Sequence, residues 1–139
     1  MHRVIISTTI CLLAVSSFAA EPANTEVKET ITTKSGLQYT SIKEGTGATP
    51  GPTDMVTVNY RGTLLNGREF DSSYKYGKPA EFKLNSVIKC WTEGMQMMKV
   101  GGKAKLVCPS SLGYGEEGIL GSVPRFAVLI FEVELLNTK

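Results

Sequence analysis

The stretch MVTVNYRGTLLNGREFD, residues 55–71, constrains this chain more than any other. Val56, Val58 and Tyr60 alternate with Thr57, Asn59 and Arg61. A period of two places the first set on one face of a strand and the second on the other. Asn66-Gly67 follows, the dipeptide preferred in a type I′ turn, so the chain is expected to double back toward Phe70 and Asp71. A hairpin with one apolar face needs more strands beside it and a cover over that face. The rest of the chain has to supply both.

Further strands are legible. In GLQYTSIKEGTG, residues 36–47, Leu37, Tyr39 and Ile42 mark a strand before a Gly-rich turn, and Pro50-Gly51-Pro52 is a loop. Pro79 to Leu84 offers a short strand. Ala104, Leu106 and Cys108 alternate along Lys103 to Cys108. Near the end, Leu129, Phe131, Val133 and Leu135 face one way and Glu132 and Glu134 the other. The cover is a single helix. Ile88, Trp91, Met95 and Met98 recur at i, i+3, i+7 and i+10, with Asn85 and Ser86 as candidate N-caps. The sum is an α+β domain: an antiparallel sheet of about five strands with one short helix packed on it. A helix that covers the sheet incompletely leaves an apolar pocket at its start, with Trp91 as the floor.

Length, charge and the N-terminal segment bound the function. At 139 residues the chain suits one domain. A hydrophobic fraction of 42% and a charged fraction of 20% fit a soluble globular protein. With net charge +2 and no basic stripe, nucleic acid is not an expected partner. Met1-His2-Arg3, the apolar run Val4 to Val15 and the small residues up to Ala20 form a secretory signal peptide, residues 1–20, too short for a membrane span. An uncleaved N-terminal anchor is the alternative. Cys11 follows the bulky Ile10, which does not fit a lipoprotein processing site. Residues 21–35 read as a flexible leader, with a short amphipathic helix as the alternative, and residues 36–139 as the domain. The expected location is the periplasm, with release from the cell as the other route.

Cleavage removes His2, the sole histidine, and with it Ser-His or Cys-His nucleophiles and His-ligated metal. No metal and no cofactor are expected. Cleavage also removes Cys11 and leaves Cys90 and Cys108, an even pair that points to a disulfide in an exported protein. With Trp91 facing the pocket, Cys90 turns about 100° away along the helix. Cys108 lies on the strand face that the helix covers, so the two thiols can meet there. Two buried free thiols are the alternative.

VTVNYRGTLLNGREFDSS, VIKCWTEGMQMMKVGGKAKLVCPSSLGYG and AVLIFEVELL occur in an order and spacing that resemble the FKBP-type peptidyl-prolyl isomerases. The likeness runs from about Gly36 to Leu136. SGLQYTSIKEGTG and GKPAEFKL are most similar to its bacterial macrophage-infectivity-potentiator branch. The resemblance implies an antiparallel half-barrel wrapped around the short helix. It implies a pocket walled by Tyr60, Phe70, Phe82, Val87, Val123 and Phe131, with Trp91 as its floor. Asp71, Tyr114 and the Ile88 backbone N–H would be its polar groups. Tyr76, Ala80, Ile119 and Ser122 depart from the pattern of well-known members, which bears on drug affinity and substrate preference.

The activity implied is peptidyl-prolyl cis-trans isomerisation of exported or unfolded polypeptides. Proline-containing unfolded chains would be the substrates and macrolides the inhibitors. A non-catalytic chaperone or peptide-binding module of the same fold is the alternative. Related full-length proteins carry a helical dimerisation region where this chain has a short leader, so a monomer is expected.

Overall fold

The computed structural model describes residues 29–139. The expected signal peptide, His2, Cys11 and leader residues 21–28 lie outside the described residues. Among the described residues seven strands form one antiparallel sheet: β1 (Thr30–Thr32), β2 (Gln38–Lys43), β3 (Met55–Leu64), β4 (Glu69–Ser72), β5 (Ala80–Lys83), β6 (Lys103–Cys108) and β7 (Leu129–Thr138). Their order is β1-β2-β6-β7-β3-β4, and β5 pairs with the first half of β3, Val56 opposite Phe82. One α-helix occurs among the described residues, α1 (Lys89–Met95). The architecture is the expected α+β sheet and helix, with seven strands where about five were expected. One extra strand, β1, falls in the stretch read as leader, with Ile31 opposite Tyr39.

The alternating residues do what their period demands. Val56, Val58 and Tyr60 of β3, Ala104, Leu106 and Cys108 of β6, and Leu129, Phe131, Val133 and Leu135 of β7 are all buried. They meet Cys90, Trp91 and Met95 of α1 in one core. Each fully buried Leu or Val side chain contributes about 1.5–3 kcal/mol relative to exposure. Gly94 permits the close approach, since a Cβ there would lie 2.9 Å from Leu106 Cδ1. Cys90 and Cys108, both fully buried, are joined in a disulfide that ties α1 to β6 with a Cα–Cα separation of 5.8 Å.

Two local expectations are corrected. The hairpin exists, but its turn is not type I′. Gly67 N–H donates to Leu64 O at 2.9 Å and Gly67 has φ 85°, while Asn66 keeps negative φ. The loop is therefore Leu65-Asn66-Gly67, a turn closed by a left-handed glycine. Asn66 Oδ1 stabilises it by accepting from Arg68 N–H at 2.9 Å. The helix also starts later and ends earlier than its apolar period. Asn85 and Ser86 lie in a short 3-10 turn, Leu84–Ser86, and α1 begins after Ile88 with no side-chain cap. Thr92 Oγ1 donates to Leu84 O at 2.6 Å and locks that turn to the helix. Met98 is buried but lies past the helix end. Among the described residues no helix is long and apolar enough to cross a membrane.

Candidate active site

Where α1 leaves the sheet uncovered there is a cavity of about 270 Å³. That is near the small end of ligand pockets, roughly 300 Å³. Its lining is Tyr60, Phe70, Asp71, Phe82, Ser86, Val87, Ile88, Trp91, Tyr114 and Phe131. These residues come from six places: β3, β4, β5 with the segment after it, α1, the loop between β6 and β7, and β7 itself. The walls are aromatic and mutually braced. Trp91 meets Tyr60 at 4.9 Å, Phe82 at 5.4 Å and Phe131 at 5.3 Å, each edge to face. Phe70 meets Phe131 in the same way at 5.5 Å. Such pairs add about 0.5–1.5 kcal/mol each beyond area burial, which makes the pocket stiff.

The polar groups are few and oriented. Tyr60 Oη donates to Asp71 Oδ2 at 2.7 Å, and Ser72 N–H donates to Asp71 Oδ1 at 2.9 Å, so the carboxylate is held from both sides. Burial pushes the Tyr60 phenol above its ordinary value, and the hydrogen bond to Asp71 raises it further. Burial and then the Asp71 charge raise Tyr114. Both phenols stay protonated donors at neutral pH. Ile88 O accepts from Trp91 N–H at 3.0 Å and Thr92 N–H at 3.2 Å. Among the described residues the Ile88 N–H has no acceptor. The Trp91 indole N–H is buried and likewise has none. Among the described residues no three His, Cys, Asp or Glu side chains cluster as metal ligands.

Nine residues expected at the site, Tyr60, Phe70, Asp71, Phe82, Val87, Ile88, Trp91, Tyr114 and Phe131, line this one cavity. Val123 does not. It is buried, its carbonyl accepts from Ile119 N–H at 2.8 Å, and it borders a separate hollow with Arg68 and Pro124. An antiparallel Ile119–Val123 bridge closes that part of the loop on itself. Two contributors were not anticipated. Ser86 completes the rim. Gly62 sits beneath Phe70 and Phe131, where a Cβ would come within 2.7 and 2.8 Å of their rings. A lone glycine inside an alternating strand signals such a close approach.

A family model described as FKBP-type peptidyl-prolyl cis-trans isomerase matches residues 46–136. The chain belongs to this family. A relative from Aeromonas hydrophila, "FKBP-type peptidyl-prolyl cis-trans isomerase FkpA", is 55% identical over 114 residues, 82% of this chain and 42% of its own length. "Outer membrane protein MIP" of Legionella longbeachae is 46% identical over 105 residues, 76% of this chain and 45% of its own. The crystal structure of FkpA from Escherichia coli superposes with a TM-score of 0.76 at 46% identity, covering 79% of this chain and 51% of that one. The chain thus spans about half or less of the length of these relatives. The half-barrel around a short helix is the family's fold, and the bacterial FkpA and MIP branch is the one it resembles.

Proposed function

We propose that this chain catalyses cis-trans isomerisation of X–Pro bonds in exported, unfolded polypeptides. The observation that carries this reading is the convergence of Tyr60, Phe70, Asp71, Phe82, Trp91, Tyr114 and Phe131 on one small braced cavity. The bond resists rotation because resonance holds it planar, with a barrier of roughly 18–20 kcal/mol. Twisting removes the resonance and leaves a less dipolar amide. An apolar cavity favours that form over the planar one, which is binding energy spent on the transition state. The cavity's size suits a prolyl ring. Tyr114 Oη and the Ile88 N–H fix the carbonyls on either side of the bond, and fixed geometry lowers the barrier further. Asp71 orients. Its carboxylate, held by Tyr60 and Ser72, sits at the rim and moves no proton.

Export is part of the proposal, supported by the N-terminal signal pattern and by the buried Cys90–Cys108 disulfide, which suits an oxidising compartment. The direct test is a proline-isomerisation assay on a short X–Pro tetrapeptide. Turnover is expected. A folded protein that binds the peptide without accelerating the exchange would replace this reading with a non-catalytic binding module.

A further inference from the structure

Outside the pocket, four large apolar side chains stand exposed on two neighbouring elements: Leu65 at the β3–β4 hairpin tip, and Ile119, Leu120 and Phe126 in the loop between β6 and β7. Leu65 is 72% exposed and Phe126 64%. Two hollows lie among them. One, of about 300 Å³, is lined by Leu65, Pro124, Phe126 and Ala127; the other, of about 380 Å³, by Ile119, Leu120 and Pro124. Pro124 borders both, so the two form one apolar face. The charged side chains lining it are Arg68, Glu117 and Arg125. Both signs are present, so apolar contact rather than charge would select an occupant.

Phe126 is the least expected residue of this face. It is the one non-glycine residue with positive φ among the described residues, at 56°. A bulky side chain is disfavoured there, and Asn or Gly would take the same backbone more easily. Core packing does not explain the choice, because the ring is mostly exposed. Its surroundings hold it out. Phe126 N–H donates to Gly115 O at 2.9 Å, and the Arg125 guanidinium lies 5.9 Å from the ring centre. Arg125 Nε is itself tied to Glu116 O at 2.9 Å. Strain kept at an exposed aromatic points to function.

No residue lines both this face and the pocket, but the β3–β4 hairpin and the β6–β7 loop contribute to each. Gly115, which anchors Phe126, follows Tyr114 of the pocket. Arg68 Nη2 donates to Ser122 O at 2.7 Å and binds the hairpin to the loop. Along the β3–β7 ladder, the Leu64–Leu129 pair lies two residues beyond the Gly62–Phe131 pair, about 7 Å on. A polypeptide seated in the pocket must leave past one of its walls; β4 and Tyr114 of the β6–β7 loop supply two of them, and the hairpin tip and the rest of that loop are their continuations along the chain.

We propose that this face is an accessory site for the polypeptide substrate itself, resting on the isomerase reading above. With proline in the pocket, apolar side chains three to five residues away in the substrate settle against Leu65 and Phe126. An extended chain advances about 3.3 Å per residue, which carries those positions past the wall to the hairpin tip. The enzyme would thereby favour prolines that lie near apolar segments, as they do in chains that have not yet buried their cores.

The test compares an X–Pro tetrapeptide with ten-residue peptides carrying Leu and Phe, or Ser, three to five positions from the proline on each side in turn. Turnover and calorimetric affinity are both measured. On wild type, an apolar decapeptide should show kcat/KM about tenfold above the tetrapeptide, through KM with kcat unchanged. The serine decapeptides should show no gain. Leu65→Ser and Phe126→Asn should each remove most of the gain and leave tetrapeptide kcat/KM unchanged. Because Asn accepts positive φ, Phe126→Asn should also raise Tm while affinity for the apolar decapeptide falls. An undiminished gain in both variants overturns the proposal. So does a wild-type dimer in sedimentation that Phe126→Asn dissociates, since a second copy would then occupy the face. If the tetrapeptide is not turned over, the isomerase reading fails, and the accessory site is decided by the calorimetric comparison alone.

Discussion

Replacing Gly62 by Ala tests whether the aromatic bracing is what shapes the pocket. The added Cβ would lie 2.7 Å from Phe70 Cζ and 2.8 Å from Phe131 Cε1. Carbon atoms sit comfortably at about 3.5–4.0 Å, so each ring must retreat by roughly 1 Å. Phe131 cannot move freely, because Trp91 stands at 5.3 Å and Phe70 at 5.5 Å on its other sides. Overpacking of this kind costs about 1–3 kcal/mol. Part is returned because alanine is stiffer than glycine in the unfolded chain, about 0.5–1 kcal/mol. The larger effect is expected on turnover. Both displaced rings line the cavity, and a 1 Å misplacement at a reacting centre lowers rate by up to about 100-fold. We therefore expect tetrapeptide kcat/KM to fall about 10- to 100-fold while urea denaturation shows a loss of only about 1 kcal/mol. Gly67→Ala is the control. Its Cβ meets nothing within 4 Å, but its φ of 85° disfavours a side chain, so it should lose stability and keep kcat/KM. A folded Gly62→Ala variant with wild-type kcat/KM would refute the idea that the two rings are held in register by the missing side chain.

Other outcomes follow from the same geometry. Asp71→Leu should lower kcat/KM, and the unpaired Tyr60 hydroxyl should cost about 1–3 kcal/mol in thermal unfolding; wild-type turnover in that variant would remove Asp71 from the site. Trp91→Ala should lose about 3–5 kcal/mol of stability and the substrate affinity of the folded fraction, read by denaturation and peptide binding. Reducing the Cys90–Cys108 disulfide, which spans 18 residues, should cost about 3 kcal/mol by chain entropy, seen as a lower Tm in reductant, with tetrapeptide kcat/KM of the folded fraction unchanged because neither sulfur lines the cavity. Turnover should be flat from about pH 6 to 8, where neither phenol ionises. Tyr60 and Tyr114 have raised folded values, so the stability they contribute is complete below the ordinary tyrosine value of about 10 and is lost as pH rises through the folded values. Alkaline unfolding of wild type against Tyr60→Phe checks this.

What the sequence by itself determined is what periodicity can carry. β3, β6 and β7 were legible because alternation records which face each residue buries, and Val56, Leu106 and Val133 are all fully buried on the expected side. The Cys90–Cys108 pairing was legible for a related reason: helix and strand periods each assign one thiol to the same contact. The pocket residues were named from the family's motif pattern, and nine of ten line one cavity; strand and helix period account for Tyr60, Phe82, Phe131 and Trp91, while Val87, Ile88 and Tyr114 lie outside strand and helix and were legible only through that pattern. Tertiary structure decided the rest. Thr30–Thr32 carries no burial pattern and becomes a strand only because β2 offers its edge. Asn66-Gly67 serves two hairpin turns equally well, and the register shift between Gly62 and Thr63 chose the longer loop. The start of α1 was set by the 3-10 turn that Thr92 locks to the helix, where local capping signals favoured an earlier start. Val123 lies in the same loop as Tyr114, yet it packs into the core beside a separate hollow and does not line the pocket. Gly62 gains its meaning only when two rings, from β4 and β7, press on the space its side chain would fill.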